Sequence, residues 1–195
     1  LLVIPGWGQA DTQGRVPLIL NPGLTFGTGS HATTRLCLTA LEKQIHGGER
    51  VLDLGCGSGI LSIAALLLGA EQAEACDIDD KCLDVANENA ALNHVGKDRY
   101  TVRAGNILSD EVLQAELGGG YDVVVANIVA DVIIVLAPMI RKFLKKDGLF
   151  LCSGIIDDRV CDVKNAFERY GFVIEKALHK KEWNAFLLRK GEQNA

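Results

Sequence analysis

From residue 47 to residue 190, short apolar runs alternate with stretches of helical periodicity. RVLDLG (50–55), AEACDID (73–79), YTVRAG (100–105), YDVVVAN (121–127) and LFLCSG (149–154) read as strands. Between them ILSIAALLLGA is helical, and KCLDVANENAALNHVG places Leu83, Ala86 and Ala90 on one helical face. Val132, Leu136, Met139, Ile140 and Phe143 recur at helical spacing until Gly148 stops the helix, and Val160, Val163, Phe167 and Tyr170 make a further amphipathic face. Strands that are apolar without alternation are covered on both sides, so the pattern predicts a parallel sheet between two helical layers. FVIEKAL and NAFLLRK close the chain with no helix between them, which permits an antiparallel hairpin at one sheet edge. ELGGGYD (116–122) reads as a turn, so no domain boundary falls within residues 47–190. Residues 1–24, with LLVIP and VPLIL around a glycine-rich turn, are expected to form an N-terminal β extension or linker, and residues 25–195 the main domain.

The 195 residues suffice for a full core, and 48% hydrophobic with 23% charged residues excludes a disordered chain. A formal net charge of −5 argues against direct nucleic-acid binding, which favours a basic surplus, and suits a basic protein or a small molecule. The apolar runs at 60–70 and 123–140 read as buried core, because the first is too short to span a bilayer and Asn127, Asp131 and Pro138 interrupt the second. No membrane association is expected. The chain opens at Leu1 without an initiator Met and shows no signal-peptide pattern, as expected of a piece of a longer protein or a processed one. Its six cysteines form no C-x-x-C and lie at no zinc-ligand spacing from a histidine, so no metal is expected and the cytoplasm is the natural compartment.

In a doubly wound sheet a ligand lies across the carboxyl ends of the strands, nearest the first strand-to-helix turn. Here that turn is DLGCGSG, where Gly55, Gly57 and Gly59 remove three side chains. A tight turn alone needs one glycine, and three favour close approach of a ligand. A dinucleotide fingerprint fails in both registers, since its last glycine would fall on Ile60 or Ser62. Asp77 ends the second strand, 22 residues after Gly55, where a carboxylate can accept both ribose hydroxyls; otherwise it is a solvated strand-end acid. Asp79 shares its face but lies farther out. Asn127 ends the fourth strand, either beside the reacting group or as a cap of the next helix. Ahead of all this, TFGTGSHATTRLCLTALE (25–42) runs from a glycine- and hydroxyl-rich loop into a helix, as a capped flexible loop or as a cover over a ligand.

FGTGSHATT, DLGCGSGILSIAA, DID, ANIVA and the closing KEWNAFLLRK, in this order and covering nearly the whole chain, resemble the catalytic part of the ribosomal protein L-eleven methyltransferase family, a class I S-adenosylmethionine-dependent methyltransferase. The resemblance implies a Rossmann-like, doubly wound, seven-stranded α/β sheet, mostly parallel with an antiparallel C-terminal edge hairpin. Its cofactor would be S-adenosylmethionine, with contacts from Phe26, Gly27, Thr28, His31, Thr34, Gly55, Gly57, Gly59, Asp77, Ile78, Asn106 and Asn127. Phe26 and Gly27 would shape a lid that His31 orders, and Thr34 would meet the cofactor's amino-acid end. Asp77 would hold the ribose, and Asn127 would be the catalytic position beside the transferred methyl. The implied reaction is methylation of amino groups, lysine side chain or α-amine, on a protein, with a large-subunit ribosomal protein as partner. Members of the family carry an N-terminal domain that recognises the ribosomal protein; none is expected in this sequence, and NIVA stands where the family reads NILA.

Other acceptors are a small molecule, a glutamine amide or a nucleic-acid base. For a planar acceptor an Asn-Pro-Pro-Tyr strand end is expected, and Ile128 and Val129 supply no ring. A nicotinamide oxidoreductase is opposed by the glycine register, and a non-catalytic binding module by the intact loop and Asn127. His31 reads as a structural hydrogen-bonder rather than a general base, Trp183 as core rather than a wall of the acceptor site, and RKFLKK (141–146) as the charged end of a helix.

Overall fold

The computed structural model describes residues 1–8, 10–21 and 29–191. Two short strands, β1 (Leu2–Pro5) and β2 (Pro17–Leu20), pair in parallel as a separate sheet. Helix α1 (Ala32–Gln44) leads to β3 (Arg50–Leu54), α2 (Ile60–Leu68), β4 (Gln72–Asp77), α3 (Lys81–Leu92) and β5 (Tyr100–Ala104). Then come α4 (Glu111–Leu117), β6 (Tyr121–Asn127), α5 (Ala130–Phe143), β7 (Leu144–Ile156), α6 (Val160–Arg169), β8 (Phe172–Lys180) and β9 (Trp183–Lys190). The main sheet has seven strands in the order β5-β4-β3-β6-β7-β9-β8, parallel except for β9, which runs antiparallel to both its neighbours. The chain therefore winds outward from β3 to one edge and returns to β6 on the other side, so the reversal point lies between β3 and β6.

Both faces of the sheet are covered at its centre, which is why β3, β6 and the second half of β7 are almost continuously apolar, whereas the edge strands β5 and β8 carry exposed polar residues. Val51, Val123, Val125, Leu149 and Leu151 meet α1, α2 and α3 on one side, and their alternates Leu52, Leu54, Val124, Ala126, Phe150 and Cys152 meet α4, α5 and α6 on the other. Among the described residues no helix is long and apolar enough to cross a membrane.

Four local expectations change. Helix α5 stops at Phe143 rather than at Gly148, because Leu144 turns to extended backbone and pairs with Tyr121. Gly148 instead serves the irregular start of β7, where a Cβ would lie 2.9 Å from the Tyr121 carbonyl oxygen. RKFLKK accordingly straddles a helix and a strand, with Lys145 on β7 paired to Asp122 at 2.7 Å. Helix α4, which periodicity did not single out, is seven residues long and is capped by Asp110, whose Oδ1 accepts the Leu113 N–H at 3.0 Å. On α3 the buried face is Cys82, Ala86, Asn89 and Ala90, with Leu83 only partly covered.

The buried face of α3 carries an asparagine because that helix completes the edge of β2. Asn93 Oδ1 accepts the Ile19 N–H at 2.8 Å while Asn93 Nδ2 donates to the Ile19 carbonyl at 2.6 Å, and Asn89 Oδ1 accepts the Asn21 N–H at 2.7 Å. The side-chain amides thus act as a third strand, and Leu18 and Leu20 are pressed into the core. Asn93→Ala leaves two backbone groups of Ile19 without partners and is expected to cost about 2 kcal/mol in urea unfolding; a change below about 0.5 kcal/mol would show that water replaces the amide without loss.

Candidate active site

The carboxyl ends of β3, β4 and β6 open into a cleft of about 700 Å³. Its floor is the turn after β3. Gly55, Gly57 and Gly59 take φ of 75°, 53° and 76°, values that L side chains rarely adopt. Gly55 and Gly57 line the cleft. Gly59 does not serve it directly: a Cβ there would lie 2.9 Å from the Tyr100 hydroxyl and 3.1 Å from Ala86 Cβ, so this glycine lets α2 begin against α3. Of the three glycines, two thus border the cleft and the third lies behind it.

Two carboxylates brace the turn from below. Asp77 Oδ2 accepts the Gly57 N–H at 2.8 Å, and its Oδ1 accepts the Asp79 N–H at 3.0 Å. Each oxygen keeps a second lone pair, so Asp77 can hold the turn and still receive hydroxyls from the cleft. Asp79 is exposed and turns its Oδ1 to the Lys81 N–H at 3.0 Å. Asp53, one residue before the end of β3, is fully buried, and its Oδ2 accepts both the N–H and the hydroxyl of Ser62 at 3.1 and 2.9 Å. Its Oδ1 has no hydrogen-bond partner among the described residues. Burial pushes this carboxyl up to about 7 against the opposing bonds from Ser62. An acid-bearing strand before the turn was visible in sequence, but nothing there distinguished a buried carboxyl from an exposed one.

Beside Asp77, Ile78 stands out 72% exposed as an apolar plate, and Asn106 follows β5 with its Oδ1 accepting the Leu108 N–H at 3.1 Å. Asn127 closes the opposite wall at the end of β6, half-buried, its Nδ2 donating to Thr34 Oγ1 at 3.3 Å. It does not cap α5, whose N-cap is Val129. The next residue, Ile128, is wedged between two glycines. A Cβ on Gly55 would come to 2.5 Å from its Cγ2, and one on Gly154 to 2.1 Å from its carbonyl oxygen. Gly154, which the sequence did not single out, has φ of 94° and thereby lets the strand end carrying Asn127 lie against β7.

Helix α1 enters the site at its N-terminus. His31 is its N-cap, with Nδ1 accepting the Thr33 N–H at 3.4 Å and lying 2.8 Å from Thr33 Oγ1. Thr33 and Thr34 are both buried; Thr33 lies against the cleft, and Thr34, a 100° step further round the helix, reaches the site through Asn127. Trp183 corrects an expectation. It is not core but a wall of the cleft, with its ring edge-on to His31 at 5.1 Å between centroids. Periodicity could not show this, because Trp183 begins β9 where the strand has already passed the helical layers. Phe26, Gly27 and Thr28 lie outside the described residues.

Asp77 and Asp79 are the charged side chains among the described lining residues, and neither lysine nor arginine accompanies them. A pyrophosphate would meet repulsion here, and a cation would be attracted. The thiols beside the cleft remain neutral, since burial pushes Cys76 up to about 12 and Cys82 to about 11. No group of three His, Cys, Asp or Glu among the described residues could hold a metal ion.

A seven-stranded sheet with its last strand inserted antiparallel, and an acid-braced glycine turn at the reversal point, defines a class I methyltransferase fold. The family model described as "Ribosomal protein L11 methyltransferase (PrmA)" matches residues 1–191, and the chain belongs to that family. A protein named ribosomal protein L11 methyltransferase from Agathobacter rectalis is 42% identical over 189 residues, covering 94% of this chain and 58% of that protein. One of the same name from Enterococcus faecalis is 40% identical over 195 residues, covering 99% and 60%. The chain thus spans about 60% of the length of these curated relatives. The crystal structure of a ribosomal protein L11 methylase from Lactobacillus delbrueckii subsp. bulgaricus superposes with a TM-score of 0.87 at 31% identity, covering 97% of this chain and 94% of that one.

Two outcomes follow from this geometry. Gly154→Ala, strained both by φ and by the Ile128 carbonyl, is expected to cost about 3 kcal/mol or more in urea unfolding, and a cost under about 1 kcal/mol would show that the β6–β7 end relaxes freely. Asp53 keeps its proton to about pH 7 when folded but only to about 3.8 when unfolded. Its stabilising contribution is therefore complete below pH 3.8 and is lost as pH rises through 7. The stability of the parent chain relative to Asp53→Asn should fall between about pH 4 and pH 7 and level off above it in paired urea titrations, whereas a constant difference would mean that Asp53 is ionised throughout.

Proposed function

We propose that the chain transfers methyl groups from S-adenosylmethionine to amino groups, lysine side chain or α-amine, of a large-subunit ribosomal protein. The observation that carries this reading is the convergence on one cleft of Gly57, Asp77 and Asn127, a cation-attracting wall with an amide at its far end. The residues fit the cofactor: a backbone bent by left-handed glycines, a carboxylate with lone pairs left for a ribose, and an apolar plate at Ile78 for a base. When bound, S-adenosylmethionine supplies a methyl already activated by cationic sulfur, so the protein has mainly to align an acceptor.

Alignment falls to Asn127. With Nδ2 engaged by Thr34, its Oδ1 is the atom left to accept an N–H from an amine, which turns the nitrogen lone pair into the cleft. A lysine is neutral in only roughly one molecule in 2,500 at pH 7. The Asn127 end of the cleft is walled by Ile128, Val129, His31 and Trp183 rather than by a carboxylate, and contact with these largely apolar walls lowers the amine's pKa by partial desolvation. The proton leaves to water before or during attack, and no strong base is required.

The acidic balance of the chain suits a basic protein acceptor better than a nucleic acid, and the buried reduced cysteines suit the cytoplasm. Methyl-labelled S-adenosylmethionine incubated with the chain and large-subunit ribosomal proteins should label amines; label on glutamine amides or nucleic acid would move the acceptor class. In the same assay Asn127→Ala should lower the transfer rate by about 100-fold while cofactor affinity changes by less than about threefold. Equal losses in both would remove its catalytic role. Asp77→Ala should do the reverse, weakening cofactor binding by about 10- to 100-fold.

A further inference from the structure

Helix α5 leaves one flank bare where it departs from the cleft. Val129, its N-cap, is 63% exposed, and Val135, six residues further on, is 55% exposed. Between them Val132 is half-buried, and Met139 continues the row, because residues 129, 132, 135 and 139 recur at a spacing that keeps them on one side of a helix. Val129 and Val132 line the cleft, as does Leu108 just before α4, and Val112 on α4 is 69% exposed. The face that α5 owes to the sheet is a different one, formed by Ile133, Leu136, Ala137 and Ile140. The bare flank is therefore additional to the core, and apolar side chains grouped beside a cleft mark an interaction surface.

The charge of the surroundings says what fits there. From Ala104 to Ile140 the chain has no lysine, arginine or histidine, but five acids. Asp122 is paired with Lys145, Glu116 with Arg103 and Asp131 with Arg159. Asp110 and Glu111, at the start of α4, are in no ion pair among the described residues, and the cleft adds Asp77 and Asp79. A phosphate backbone is repelled from this side of the molecule. A protein segment carrying both apolar and basic side chains is matched by it in both respects.

We propose that the α5 flank from Val129 to Val135, with the acidic start of α4, holds the acceptor protein beside its methylated amine and selects segments that carry an apolar and a basic residue there. The inference rests on the amine-acceptor reading, in which the amine meets Asn127. Val129 is two residues from Asn127, and Val135 lies about 9 Å further along α5 at 1.5 Å per residue. An extended segment advances about 3.3 Å per residue, so the third residue from the acceptor reaches Val135. Val135 is not among the residues that line the cleft, which makes it a specificity residue rather than a catalytic one.

Three sets of synthetic peptides, methylated by the chain with labelled S-adenosylmethionine, test this. The first carries one lysine acceptor with leucine three residues before or after it and arginines alongside. The second has serine for the leucine, and the third has glutamates for the arginines. The expected KM is about tenfold lower for the first set than for either of the others, with kcat within about twofold. Val135→Ser should raise KM about fivefold for the leucine peptides and leave the serine peptides unmoved, at unchanged S-adenosylmethionine affinity and urea midpoint. Glu111→Lys should weaken the arginine peptides and favour the glutamate ones, an effect that salt suppresses. Equal KM for all three sets, or a Val135→Ser loss as large with serine as with leucine, overturns the inference and leaves the amine-acceptor reading standing. The same holds if sedimentation shows Val135→Ser splitting a dimer while peptide KM stays put, since a second copy then covers the flank. Label on none of the peptides while the cofactor binds removes the amine-acceptor reading and the inference with it.

Discussion

Two carboxylates hold the turn between β3 and α2, one at its middle and one at the helix that follows it. Asp77 reaches across from β4 to the Gly57 N–H, and Asp53 reaches forward to Ser62. Without them three left-handed glycines at alternate positions would be the softest part of the turn, because glycine loses more backbone freedom on ordering than any other residue. With them the peptide N–H groups of the turn are fixed at the reversal point of the sheet, where a ligand can reach the ends of β3, β4 and β6 together. The acids thus serve rigidity and charge at once. They set the turn, and they leave a cleft that attracts cations.

The opposite wall depends on a second fit. Ile128 fills the space left by Gly55 and rests its backbone on Gly154, so three strand ends lock into one another through a single side chain and two missing ones. Asn127 is carried into place by that lock and is oriented by Thr34 from α1. Sequence-distant segments therefore act on one amide. This is why a conservative change such as Val129 within NIVA is easily accommodated, exposed as that side chain is, whereas either glycine is not.

Much of the architecture was legible because apolar periodicity reports burial, and a doubly wound sheet buries its central strands on both faces. The seven strands and the antiparallel end could be read from residues such as Val123–Ala126 and Leu187–Leu188. What escaped was decided by contacts between segments. Helix α4 is too short for periodicity and depends on the Asp110 cap. Gly148 resembles a helix stop until the Tyr121 carbonyl is seen against it. In the site, glycine spacing and the Asp77 position were visible, since both follow from the strand-turn-helix geometry. Trp183, Thr33, Gly154 and the unpartnered oxygen of Asp53 were not, because nothing local in sequence says which face of a strand end or helix start meets the cleft.

Family membership and the site's chemistry point the same way, but they are independent, and the placement of the cofactor is what joins them. Backbone amide shifts of the isotopically labelled chain, followed as S-adenosylmethionine is added, test that placement residue by residue. Binding on the braced turn predicts the largest changes at Gly55, Gly57, Ile78, Asn106 and Ile128. Changes gathered instead around the shallow depression lined by Gly48, Gln72 and Arg99, at the other end of the strands, would contradict it.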